Sequence, residues 1–133
     1  MKDLEKNLGQ LKLNLLSICS KNTCYSKLQK DWTPTNPFLG HCAIITAVVY
    51  KNFGGKIMRG VIKENGASHY WNNINGVNYD LTKEQFNGKV TFTNIEEVSI
   101  YRILNNFETA NRFLELNKKL DNLIFKQQKE QSL

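Results

Sequence analysis

The sequence predicts an α+β domain, with helices packed on one small antiparallel sheet. Three observations carry that expectation. Apolar residues recur at helical spacing near both ends of the chain. A wholly apolar segment, "CAIITAVV", follows a loop in the first half. After it come three short strand-like runs separated by Asn-Gly pairs.

In the first element, Leu4, Leu8, Leu11, Leu15 and Ile18 repeat at spacings of four and three, an amphipathic helix over about residues 3–20. The same spacing would suit a homodimer through this N-terminal helix. It covers fewer heptads than a coiled coil ordinarily needs, so packing on its own domain is favoured. Residues 21–40, "KNTCYSKLQKDWTPTNPFLG", read as a long loop with two X-Pro steps, a length more often functional than idle. Ala43 to Phe53 is apolar almost all round, hence a buried helix, closed by Gly54-Gly55.

The runs "KIMRGVIKE", "ASHYWNNI" and "VNYDLT" then predict a three-stranded meander over 56–82. Both connectors, Asn65-Gly66 and Asn75-Gly76, carry the signature of a two-residue type I′ turn. Next, "TKEQF" suits a short turn, and residues 94–104 fit helix and strand equally. Phe107, Ala110, Phe113 or Leu114, Leu120, and Leu123 or Ile124 mark a long amphipathic helix, followed from about residue 126 by a frayed polar tail. A single domain over 1–133 is expected, with no internal repeat.

Composition narrows the class. At 41% apolar the chain can bury a core, which argues against wholesale disorder. The start, "MKDLEKNLGQLKLNLL", has no continuous apolar stretch, so no leader or membrane span is expected and the cytoplasm is the expected address. Cys19, Cys24 and Cys42 are an odd set without disulfide or zinc spacing, and Cys19 and Cys24 read as ordinary thiols. Residues 1–66 hold ten Lys/Arg against four Asp/Glu, but these are scattered singly, a solvated surface rather than a nucleic-acid or membrane site.

The hairpins place chemistry on one face. With two-residue turns, paired positions sum to 151 across the second hairpin and 131 across the first. Trp71 then opposes Asp80, Thr82 and Ile62 both oppose His69, and Gly60 lies under Trp71. Asp80 falls on the diagonal to His69, about 7 Å away at the backbone, within reach of the imidazole. The helix expected to cover this sheet begins at Cys42. A thiol at a helix N-terminus beside an imidazole is placed to become a thiolate nucleophile. His69 would move the proton, and Asp80 would hold the ring. The Cys42 backbone N–H is the natural oxyanion donor, with the Asn36 side chain as a second.

Around these three, Trp71 and Trp32 are candidates for a substrate wall and His41 for the entrance. The Thr82 hydroxyl is a candidate partner of the site. His41 is a poor base, because neighbours on a helix point about 100° apart. Tyr70 and Tyr79 fall on the other face and read as packing.

The arrangement is similar to that of the papain-like and transglutaminase-like superfamily, in which a helix-borne Cys faces a His and an Asp or Asn on adjacent strands; the string C-G-S-C-W of papain is absent. Locally, "NPFLGHCAIITAVV", "GGKI", "SHYWN" and "DLTKEQF" resemble the small bacterial YunG family over about residues 32–86. That resemblance implies a shared site and no particular substrate. The family commonly has Gln before the cysteine, where this chain has His41, which leaves open what that position does here.

The expected function is thus a cysteine hydrolase or acyl transferase acting on an amide, thioester or ester of a small molecule or peptide, with Cys42, His69 and Asp80 as its triad and no cofactor. Two alternatives stand beside it: a non-catalytic binding protein on the same fold, and a zinc-binding module using the same three residues.

Overall fold

A computed structural model describes residues 2–86 and 88–132. Helix α1 (Lys2–Ile18) leads into two short 3₁₀ turns, Lys21–Thr23 and Ser26–Asp31, within the long loop. Helix α2 (Cys42–Phe53) is followed by strands β1 (Lys56–Ile62), β2 (Ser68–Ile74) and β3 (Val77–Tyr79), then β4 (Phe92–Val98). A short α3 (Ile100–Leu104) precedes the long α4 (Phe107–Gln131). No helix among the described residues is long and apolar enough to cross a membrane.

The architecture is α+β, as expected, but the sheet has four antiparallel strands in the order β3-β2-β1-β4. The meander stands, and β4 joins β1 on its far side. Nearly all of β4 is exposed, so its residues carry no alternating apolar pattern; pairing with β1 makes it a strand. At the other end of the chain, α4 runs on helically through Gln131 where a frayed tail was expected, and Leu133 lies outside the described residues.

Helix α2 is the centre of the core. Ile44, Ile45, Ala47, Val48 and Val49 are buried, and the helix is covered by the sheet on one side and by α4 on another. Leu8, Leu11 and Leu15 of α1 join the same core, together with Phe113, Leu116 and Leu120 of α4. The leucine repeat of α1 is therefore used within the chain. From the sheet come Ile57 and Ile74, with Tyr70 and Tyr79 packed beside them, as the alternation predicted.

The second hairpin has the predicted register: Asn72 pairs with Tyr79 and Ile74 with Val77, around Asn75 and Gly76 at φ 54° and 83°. The first does not. Gly60 pairs with His69 and Met58 with Trp71, a slip of two residues. The cause is the turn. A type I′ turn needs positive φ at both central residues, and only Gly66 has it, at 75°. Asn65 instead accepts the Ala67 N–H through Oδ1 at 2.9 Å, closing a longer loop between Ile62 and Ala67. A slip of two keeps every side chain on its face, so the facing argument survives.

Trp71 still lies over Gly60, now diagonally: a Cβ there would stand 2.9 Å from the indole Cη2 and 3.2 Å from Phe92 Cβ. Gly60→Ala should therefore destabilise the fold by about 1–3 kcal/mol through overpacking, measured as a lower urea midpoint.

Candidate functional site

His69, Trp71 and Asp80 share the sheet face opposite the one that carries Asn72. Asn72 Nδ2 donates to Thr46 O of α2 at 3.0 Å, so α2 packs on the Asn72 face and not, as expected, on the histidine face. Strand β3 pairs with β2 only from Asn72 to Ile74, leaving the His69 end of β2 without a strand neighbour on that side. There the groups meet. Asp80 Oδ2 accepts from His69 Nε2 at 2.7 Å, and the Cys42 side chain approaches the same imidazole closely enough to favour its charged form.

The ring is fully buried in an aromatic box. Phe92 stacks on it at 5.4 Å and 11°, Phe86 meets it edge-on at 4.9 Å, and Trp71 lies at 6.0 Å. Burial by itself lowers the His69 pKa, but the Asp80 hydrogen bond and the neighbouring Cys42 outweigh it and raise the pKa to about 9. The imidazolium is the favoured form at neutral pH.

Asp80 is in turn held. Just past β3, it forms an Asx turn in which Oδ1 accepts the Thr82 N–H at 3.2 Å and the Thr82 hydroxyl at 3.3 Å. Gln85 Nε2 donates to that hydroxyl at 3.0 Å. Thr82 is placed otherwise than expected: the strand stops at Tyr79, so Thr82 reaches Asp80 and does not oppose His69. Gln85 was missed, since nothing in "TKEQF" marks a polar residue that folds back under a carboxylate.

The other candidates are placed differently. Asn36 Nδ2 donates to Gln85 O at 3.2 Å, which ties the loop before Cys42 to the turn after Asp80 and commits the amide away from an oxyanion role. Trp32 donates to Pro37 O at 2.9 Å within its own loop. Trp71 is buried and supports His69 instead of walling a substrate.

His41 lines no entrance, for it is fully buried. Its Nδ1 donates to Leu39 O at 2.8 Å and its Nε2 accepts from the Thr23 hydroxyl at 2.7 Å. Burial, with Arg112 and Lys119 adding to it, lowers its pKa to about 4. Nearby, Arg112 Nη1 donates to Thr23 O at 3.0 Å and Gly40 O at 3.3 Å, fastening α4 to both sides of the loop. Because His41 is the N-cap of α2 yet turns its ring into this network, no side chain caps the helix. The first-turn amides at Cys42 are left without an intrahelical acceptor.

The chain is thus α+β, with a helix-start cysteine, a strand histidine and a turn aspartate brought near one another at a sheet edge. A family model described as "YunG protein" matches residues 7–124, and the chain belongs to that family. It is similar to the uncharacterized protein YunG of Bacillus subtilis (strain 168), 38% identical over 64 residues, or 48% of this chain and 54% of that protein. The match thus spans about half the length of that curated relative. No solved structure matches the chain.

Two titrations follow from the opposite shifts. Followed by NMR, the His69 ring should titrate near pH 9, and Asp80→Asn should move it down toward 6.5. A raised folded pKa stabilises below the unfolded value; that contribution is lost as pH rises from 6.5 through about 9. For His41 the sign reverses. Between pH 6.5 and about 4 the unfolded chain binds a proton that the native ring refuses, so stability falls with acid. His41→Gln should flatten that slope, removing on the order of 3 kcal/mol of pH dependence in denaturant melts across this window.

Proposed function

We propose that the chain is a cysteine-dependent acyl-transfer enzyme, a hydrolase or transferase acting on an amide, thioester or ester. The observation that carries this reading is the His69 imidazole bonded to the Asp80 carboxylate at 2.7 Å with the Cys42 side chain beside it. In this reading the thiol proton rests on His69 and the thiolate attacks the acyl carbon. The oxyanion is met by the free amides at the start of α2, and His69 returns its proton to the leaving group. A water or acceptor, deprotonated by His69, then releases the acyl group from Cys42. Asp80 keeps the ring in one tautomer and compensates its charge. The order of helix Cys, strand His and following Asp is the one that likens the site to papain-like and transglutaminase-like enzymes, a likeness of element type and order.

The zinc-module reading has less support. Among the described residues no three His, Cys, Asp or Glu side chains are grouped to hold a metal ion. The reading as a non-catalytic binding protein is what the test below opposes.

Iodoacetamide at pH 6, with each cysteine read by mass spectrometry, separates these. Burial raises the Cys19 pKa to about 12 and the Cys24 pKa to about 11, so both serve as silent internal references. Cys42 should alkylate at least about tenfold faster than it does in the His69→Ala variant, with Cys19 and Cys24 silent in both and the fold intact. A Cys42 that stays unreactive, or reacts equally without His69, would sink the enzyme reading.

A further inference from the structure

Helix α4 presents a second apolar feature that the core does not use. Phe107, Leu114 and Phe125 are 83%, 62% and 68% exposed. At 100° per residue the three fall within about 20° of one line, a stripe about 27 Å long. Asn111, Lys118 and Asp121, all exposed, fill the intervening places, so that spacings of four and three alternate along the stripe. That is the spacing of a helix–helix seam. The opposite face of α4, with Phe113, Leu116 and Leu120, is the one buried in the chain's own core.

We propose that this stripe is a homodimer interface in which α4 lies antiparallel against α4 of a second copy, about a two-fold axis near residue 116. The occupant is read from charge and shape along the stripe itself. In this register, paired positions sum to 232. Phe107 then meets the partner's Phe125, Asn111 meets the partner's Asp121 as an amide–carboxylate hydrogen bond, and Leu114 lies on the aliphatic stem of the partner's Lys118. Around the axis, Glu115 flanks the seam beside the partner's Lys118, and the charges of the two glutamates and two lysines cancel. A parallel pairing would instead set Lys118 on Lys118 and Asp121 on Asp121, two like-charge contacts at the centre. A two-fold contact must be self-complementary, and this one is. The dimer uses α4 and leaves α1, whose Leu8, Leu11 and Leu15 are buried in the chain, outside the interface.

Sedimentation of the full chain up to about 200 µM tests it, over the range in which a small helical interface associates. A dimer is expected. The Phe107→Glu/Phe125→Glu double variant, which sets carboxylates face to face, should weaken association by at least tenfold, with an unchanged thermal melt at dilutions where both chains are monomeric, since both positions are exposed. Orientation is tested by mixing chains. Phe107→Glu chains and Phe125→Lys chains should each associate poorly alone and form a mixed dimer together. A wild-type chain that remains monomeric throughout, a dimer indifferent to the double variant, or failure of the mixed chains to pair overturns the proposal.

Discussion

Everything in this molecule is arranged around a helix whose middle, Ile44 to Val49, is buried all round. Burying that stretch requires a sheet against one flank and α4 against another, with α1 closing the remainder. Side chains that reach it must bring their own partners. Asn72 does so by bonding Thr46 O, and the loop from Ser20 to His41 folds against α4 through Arg112. The N-terminus of α2, and Cys42 with it, is held in place by these ties on both sides.

The site depends on that placement and on a shortage of strand. Because β3 is only three residues long, the histidine end of β2 has room beside it, and the chain after Tyr79 turns back there to deliver Asp80. The aromatic box excludes water from the imidazole, which by itself would discharge it. The carboxylate and the thiol reverse that tendency. Two buried histidines in one small chain thus hold opposite charge states: His69 is paired with a carboxylate, and His41 is bonded only to neutral groups with cations nearby.

Much of this was legible in residues. The apolar run of α2, the leucine spacing of α1 and the Asn75-Gly76 turn each express a local rule that tertiary contacts did not override. The shared face of His69, Trp71 and Asp80 survived an error of two in the first hairpin, because strand side chains repeat every two residues. Strand β4 was hidden since an exposed edge carries no apolar alternation. Gln85 and the Asn36 tie were hidden since each bonds to a backbone or hydroxyl group far along the chain or folded back on a turn, with no periodic signature.

The sequence by itself determined the class of fold, most of its elements and the shared face of His69, Trp71 and Asp80, because these follow from periodicity and from turn residues that act over a few positions. Only the tertiary structure decided which sheet face α2 covers, at which edge Cys42 meets His69, and that His41 is buried in the structure and not displayed at an entrance. Those outcomes depend on which apolar faces find each other across the chain, and on desolvation and hydrogen bonding that no local pattern encodes.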